Sequence, residues 1–261
     1  MRVISAFILV AWAAAAQDGA DRVTVPFSDP SRPQTISGNL VNGCFTVEGG
    51  DVKEVTVEGG GELRHRAPRG AEGLRRVGIG GNITVEESGN VIKISGPANR
   101  SVRVQAPRTV TLKLECTNGG DLKISNIAGD AELNNVNGTT RALGITGSVL
   151  AHSLNGRIMV ALDQLSPDKP MSFSTLNGDI DVTLPADAKA TLRMKSDNGE
   201  IYTDFEMKLQ ANSTPAGEDK RSSGGKYKVK LDKAFVGAIN GGGPDISFKT
   251  LNGNIFVRQK K

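Results

Sequence analysis

Residues 174–182 read STLNGDIDV, and much the same pattern recurs as HSLNGRIMV at 152–160, KSDNGEIYT at 195–203 and KTLNGNIFV at 249–257. After each Asn-Gly the chain runs x-Ile-x-Val or a close variant: Arg157-Ile158-Met159-Val160, Asp179-Ile180-Asp181-Val182, Glu200-Ile201-Tyr202-Thr203 and Asn254-Ile255-Phe256-Val257. Successive side chains of a strand point to opposite faces, so Ile and Val or Thr share one face and the variable residues share the other. The shared apolar face is the expected core. Asn and Gly both tolerate left-handed backbone angles, which makes each Asn-Gly an expected corner rather than a chemical site.

Working outward, Asn-Gly pairs begin at 118, 137, 155, 177 and 198, so the repeat is close to 20 residues. Gly at 119, 129, 138, 147 and 156 halves that period. A repeat of this kind reads as coils of two strands each, and such coils bury their apolar face by stacking on neighbours. The expected fold is an all-β, parallel β-solenoid with about 20 residues per two-strand coil. Asn-Gly is also a hairpin signal, so an antiparallel β-sandwich is the architectural alternative. In the solenoid, Asn137, Asn155, Asn177, Asn198 and Asn252 would stack as a ladder along the axis at about 4.8 Å spacing.

Composition agrees with many short strands. Aromatics make up 4% of the 261 residues while Gly numbers 32. Upstream of Cys116, the stretches FTVEG, VKEVTVEG, NITVEE, VIKISG, SVRVQAP and VTLKLEC alternate apolar with polar residues and stop at turn formers. No segment has helical periodicity of any length. The expected organisation is a leader over 1–16, a Pro- and Asp-rich lead-in over 17–35, a repeat domain over 36–258 with a protruding loop near 207–226, and a basic tail over 259–261.

The leader, MRVISAFILVAWAAAA, carries one positive charge and an apolar run ending in small residues, the pattern of a secretory signal peptide. The run is too short for a comfortable membrane span, no later stretch provides one, and no Cys stands at the cleavage point to carry a lipid anchor. The protein is therefore expected to be exported, to the periplasm or the extracellular space. Cys44 and Cys116 are the two cysteines. In an oxidising compartment they could form one disulfide; two separate buried thiols are the other reading.

Candidate chemistry is sparse. If 155–160, 177–182 and 198–203 stack in register, Arg157, Asp179 and Glu200 form one outward column and Met159, Asp181 and Tyr202 another. Asp179 beside Glu200 could share a proton, as paired carboxylates do, which would suit a glycoside hydrolase or polysaccharide lyase. The plainer reading pairs Arg157 with Asp179 as an exposed ion pair. His65 and His152 lie in no zinc-ligand spacing, and no phosphate-loop, nucleophile-elbow or dinucleotide motif occurs. No catalytic, metal-binding or cofactor-binding residue is assigned, and no cofactor is expected. Arg64, His65, Arg66, Arg69, Arg75 and Arg76 form the densest basic stretch, which lacks the interleaved aromatics that stack nucleic-acid bases. Nucleic acid is not an expected partner, and the net charge of +4 is too mild to name a polyanion.

The repeated S/T-x-N-G-x-I-x-V units and the closing segment GAINGGGPDISFKTLNGNIFV resemble the bacterial putative-adhesin family of β-strand-repeat proteins, over roughly residues 36–258. The resemblance implies a right-handed, parallel, solenoid-like fold and a place in the bacterial envelope. Some relatives are associated with envelope-stress systems. It brings no catalytic residues. The expected function is therefore a non-enzymatic envelope protein, adhesin-like, scaffolding or stress-associated; a carbohydrate-active enzyme on a β-helix is the alternative. Met159, Asp181, Tyr202 and Phe256 are the expected contact residues for an envelope glycan or protein. The solenoid ends are sheet edges through which copies could associate.

Overall fold

The computed structural model describes residues 22–62, 83–96, 100–207, 210–219 and 227–261. The leader over 1–16 and the basic stretch from Arg64 to Arg76 lie outside the described residues. Strands run in chain order as β1 (Arg22–Pro26), β2 (Thr35–Leu40), β3 (Phe45–Gly50), β4 (Glu54–Glu62), β5 (Thr84–Ser88), β6 (Val91–Gly96) and β7 (Arg100–Pro107). The middle of the chain gives β8 (Thr111–Cys116), β9 (Leu122–Ser125), β10 (Ala131–Asn137), β11 (Thr140–Gly147), β12 (Val149–Asn155), β13 (Ile158–Leu165), β14 (Met171–Asn177) and β15 (Ile180–Leu184). The last are β16 (Ala190–Asn198), β17 (Ile201–Thr203), β18 (Gln210–Asp219), β19 (Tyr227–Ile239), β20 (Asp245–Asn252) and β21 (Ile255–Gln259).

These strands make two facing sheets, ordered β1-β4-β7-β3-β9-β11-β13-β15-β21-β17 and β18-β19-β16-β20-β14-β12-β10-β8-β2-β6-β5. From β8–β9 to β14–β15 each coil contributes one strand to either sheet, and like strands pair in parallel. The fold is thus a solenoid-like all-β stack. The hairpin reading of Asn-Gly fails because each corner hands the chain across to the opposite sheet. Antiparallel pairs occur toward the ends: β1–β4–β7, β5–β6 and β16–β19–β18.

The alternating pattern sets the core. Ile158 and Val160, Ile180 and Val182, and Ile255 and Val257 are buried from one sheet; Leu133, Ala151, Phe173, Phe248 and Met194 are buried from the other. Phe173 and Phe248 stack at 5.3 Å between ring centroids. Burying a side chain of this size contributes about 1.5–3 kcal/mol, so the stack of coils, rather than any single coil, is the stable unit.

Stacking order differs from sequence order at both ends. The last coil, β20–β21, is inserted between β14–β15 and β16–β17. The coil β2–β3 likewise sits between β6–β7 and β8–β9. At the C-terminal end β16 is held between β19 on one side and β20 on the other, and the chain crosses from one to the other through Asn240-Gly241-Gly242-Gly243-Pro244. Gly241 and Gly242 have φ of +90° and +85°, and a Cβ on Gly243 would meet the Lys189 carbonyl oxygen at 2.4 Å, so this tight crossing needs its glycines.

Other departures are local. The stretch read as a protruding loop near 207–226 contains β18, which pairs along β19. The lead-in forms an edge strand, β1, and then buries Phe27. The turn that follows it is tied to the β5–β6 hairpin: Ser28 Oγ donates to the Glu87 carboxylate at 2.7 Å, the Asp29 amide donates to Asn90 Oδ1 at 2.7 Å, and Asn90 Nδ2 returns a bond to the Asp29 carbonyl. At the tail, the Lys260 amide donates to the Leu184 carbonyl at 2.8 Å and Lys260 Nζ pairs with Asp163 at 2.9 Å.

Candidate functional site

The Asn-Gly corner is accounted for bond by bond. Asn137 donates its side-chain amide to Asn118 Oδ1 at 2.5 Å, Asn155 to Asn137 at 3.1 Å, Asn177 to Asn155 at 2.8 Å, Asn252 to Asn177 at 2.7 Å and Asn198 to Asn252 at 2.9 Å. In three corners the hydroxyl two residues before the Asn donates to the Gly carbonyl of the neighbouring coil, Thr175 to Gly156, Thr250 to Gly178 and Ser196 to Gly253, while the Ser153 hydroxyl before Asn155 is buried without a partner. The motif spends its polar groups on holding coils together.

Turn preference accounts for only some of the corner glycines: Gly138, Gly178 and Gly253 have φ of +127°, +153° and +156°, whereas Gly119, Gly156 and Gly199 have no positive φ. Of the ladder asparagines only Asn118 has a positive φ, at 56°. What every corner shares is close approach: a Cβ on Gly156 would sit 1.9 Å from the Gly138 carbonyl oxygen, and one on Gly178 would sit 2.3 Å from that of Gly156.

On the outer face of the first sheet the register places Arg103, Thr46, Lys123, Arg141, Met159, Asp181, Phe256 and Tyr202 in one row across the strands. Met159, Asp181, Phe256 and Tyr202 are therefore neighbours in that order. Phe256, brought in by the inserted last coil, separates Asp181 from Tyr202, so the simple succession Met159–Asp181–Tyr202 does not hold. The same insertion separates Asp179 from Glu200. Asn254 lies between them, donating its amide to Asp179 Oδ1 at 2.9 Å and accepting the Glu200 amide on its Oδ1 at 2.9 Å. The Asp179 carboxylate accepts the Asn254 amide and the Glu200 carboxylate accepts the Tyr202 hydroxyl, so the two form no proton-sharing pair, which removes the geometric basis for a glycoside-cleaving site there.

Arg157 also turns to a different partner from the one expected. Its Nη2 lies 2.8 Å from Asp181 Oδ2 rather than pairing with Asp179, and Arg258 Nε lies 2.9 Å from Asp181 Oδ1. Asp181, with a side chain only 13% exposed, is thus clamped between two guanidiniums. The bond to Asp181, and then its charge, raise the Arg258 pKa above its ordinary value, so this group stays cationic throughout the working range. Arg258 also sits 5.2 Å from the Phe256 ring centre. The Phe256 and Tyr202 rings stack at 5.3 Å and 8°. The Tyr202 hydroxyl donates to Glu200, and that bond together with the adjacent negative charge raises the tyrosine pKa, keeping the phenol protonated. The result is a fixed, exposed patch of two parallel rings, two arginines and two carboxylates.

Two further features lie on the second sheet. His152 Nδ1 and Ser174 Oγ are 2.6 Å apart on its outer face, with Asn134 and Lys249 on the adjoining strands. The same-face positions are legible in the alternating pattern, but their adjacency depends on which coils stack. The pair lies on an exposed sheet. Leu154, Leu176 and Leu251 form an apolar stripe along the corner, 45%, 39% and 37% exposed. Its signal was already present as the Leu of SLNG, TLNG and TLNG. Cys44 and Cys116, both buried, are bonded to each other with Cα atoms 5.4 Å apart. Among the described residues no group of His, Cys, Asp or Glu is arranged to hold a metal ion, and no helix is long and apolar enough to cross a membrane.

Stacked two-strand coils joined by a corner ladder, with flat decorated faces, define a two-sheeted β-solenoid of the repeat class. The chain belongs to the Toastrack DUF4097 family, whose model matches residues 72–234. Among solved structures it is similar to a putative cell adhesion protein from Clostridium sporogenes, at 10% identity and a TM-score of 0.42, covering 93% of this chain and 100% of that one. It is also similar to a putative adhesin from Bacteroides fragilis, at 11% identity and a TM-score of 0.38, covering 94% of this chain and 98% of that one. Likenesses this distant carry no argument about what the chain does. No curated protein matches it.

Proposed function

We propose that this protein is a non-enzymatic, exported component of the cell envelope, adhesin-like in action, that binds an envelope glycan or protein on the outer face of its first sheet. The observation that carries the reading is the patch in which the stacked Tyr202 and Phe256 rings adjoin the Arg157–Asp181–Arg258 clamp. Flat aromatic faces offer large contact area at small entropic cost, and fixed guanidiniums bond hydroxyl or carboxylate groups in defined directions. Side chains already locked by their neighbours lose little freedom on binding. The leader pattern over 1–16 supports export to the periplasm or beyond.

The test is a pull-down from cell-envelope extract with tagged protein spanning 17–261, with bound glycans and proteins identified by mass spectrometry. The wild type should retain a reproducible partner. The double variant Tyr202→Ala, Phe256→Ala should weaken that binding by at least about tenfold while still folding cooperatively, its melting temperature lowered by only a few degrees through loss of the ring pair. Equal retention by wild type and variant would refute this patch as the binding surface.

A further inference from the structure

The two sheets end at different strands. On the C-terminal side the first sheet stops at β17, whereas the second continues past β16 through β19 to β18. The second sheet therefore overhangs the first by two strands, and beneath the overhang lies a cavity of about 270 Å³ whose described lining includes Met194, Ile201, Thr203 and Phe235. Among the described residues no strand pairs with the outer edge of β17. The Ile255 amide donates to the Glu200 carbonyl at 2.9 Å, which fixes the ladder between β21 and β17. By the alternation of a parallel ladder, the Tyr202 backbone faces β21 while the amides and carbonyls of Ile201 and Thr203 face outward.

A step of two strands on one sheet is the complement of itself. With a two-fold axis parallel to the strands at this end, the long sheet of one copy meets the short sheet of the other. β17 then lies beside the partner's β18, and β18 beside the partner's β17. The directions agree: β18 runs antiparallel to β19, which runs antiparallel to β16, while β17 runs opposite to β16 across the solenoid. Adjacent β17 and β18 of the two copies are consequently antiparallel, an ordinary sheet pairing. Pro215 within β18 has no amide to donate, which limits the paired length and suits a β17 of three residues.

We infer that this stepped end is a self-association surface, and that two copies join through reciprocal β17–β18 pairing about a two-fold axis parallel to the strands. The joint closes the cavity under each overhang and gives both β17 edges the hydrogen-bond partners an open edge lacks. Because the axis exchanges the upper and lower sheets, the two Tyr202–Phe256 patches face opposite directions in the dimer. Such a particle presents the same row on two sides and can link two surfaces.

Sedimentation of the purified protein from about 1 to 200 µM should show a monomer–dimer equilibrium, with Thr203→Pro raising its dissociation constant at least about tenfold. That substitution removes an outward amide and spares the bonds to β21. Hydrogen exchange of the wild type supplies a second readout that needs no variant. The amides of Ile201 and Thr203 should become protected as concentration rises, while that of Tyr202 is protected throughout. A monomer across the range would overturn the inference, as would a dimer whose Ile201 and Thr203 amides exchange independently of concentration.

Discussion

Replacing Gly156 by alanine isolates the force that makes the corner what it is. Gly156 is not in the left-handed region, so the substitution carries no backbone penalty of that kind; its added Cβ would lie 1.9 Å from the Gly138 carbonyl oxygen and 2.7 Å from the carbonyl carbon. Ordinary contact begins near 3.5 Å, so the two coils must part locally by about 1.5 Å. That movement strains the Gly138 amide bond to the Asn155 carbonyl, now 3.0 Å, and the Asn155–Asn137 rung, now 3.1 Å. Overpacking costs about 1–3 kcal/mol and each lost bond about 0.5–1.5 kcal/mol, partly offset by the stiffer unfolded chain; the net is a loss of about 2–4 kcal/mol. Thermal unfolding followed by circular dichroism should show a midpoint lower by about 5–15 °C. Two companions complete the assay. Gly120→Ala has open space but a φ of +90°, and should cost about 1–2 kcal/mol. Gly50→Ala, whose nearest atom is 3.9 Å away, should be neutral or slightly stabilising. If Gly156→Ala melts with Gly50→Ala, close coil approach is not what requires the glycine.

The ladder makes a graded prediction: Asn177→Ala removes two rungs and should cost about 1–2 kcal/mol in urea unfolding, whereas Asn198→Ala removes one and should cost about half as much. Removing the Cys44–Cys116 bond by Cys116→Ser frees a link across 72 residues, a chain-entropy loss on the order of 4 kcal/mol, read as a lower denaturant midpoint that matches the reduced wild type. The lead-in should be acid-sensitive. The Ser31 hydroxyl holds Asp29 below the usual carboxylate range, and the Ser28 hydroxyl does the same for Glu87. Because the folded values are depressed, their contribution is present above the unfolded carboxylate range and is lost as pH falls through the folded values beneath it. The urea midpoint should fall in that window, and Ser28→Ala should flatten the fall.

Much of the solenoid was legible because its signal is local and repeated. A period-2 alternation puts Ile180 and Val182 inside and Asp181 outside whatever lies next to them, and a corner every 20 residues or so implies stacking. The candidate patch was legible only in part. Met159, Asp181, Tyr202 and Phe256 are recognisable as outward positions, but their order along the row is not, and neither is the Arg157–Asp181–Arg258 clamp. The expected Asp179–Glu200 neighbourhood came from taking coils in sequence order, which fails where β19 pairs back on β16 and the last coil is inserted beside it.

By itself, then, the sequence determined the strands of the repeat, which face of each is core, and where the corners fall, since those depend on each residue and its near neighbours; it did not reveal β1 in the lead-in or β18 in the stretch read as a loop. Tertiary structure alone decided which coil lies against which. That choice placed Phe256 beside Tyr202, set Asn254 between Asp179 and Glu200, and left one sheet two strands longer than the other. The physical reason is that every unit presents nearly the same inward side chains and corner bonds, so any coil can stack on any other. Order is settled by long-range connections, namely the β19 return along β16 and the Gly-rich crossing that follows it, which no local pattern encodes.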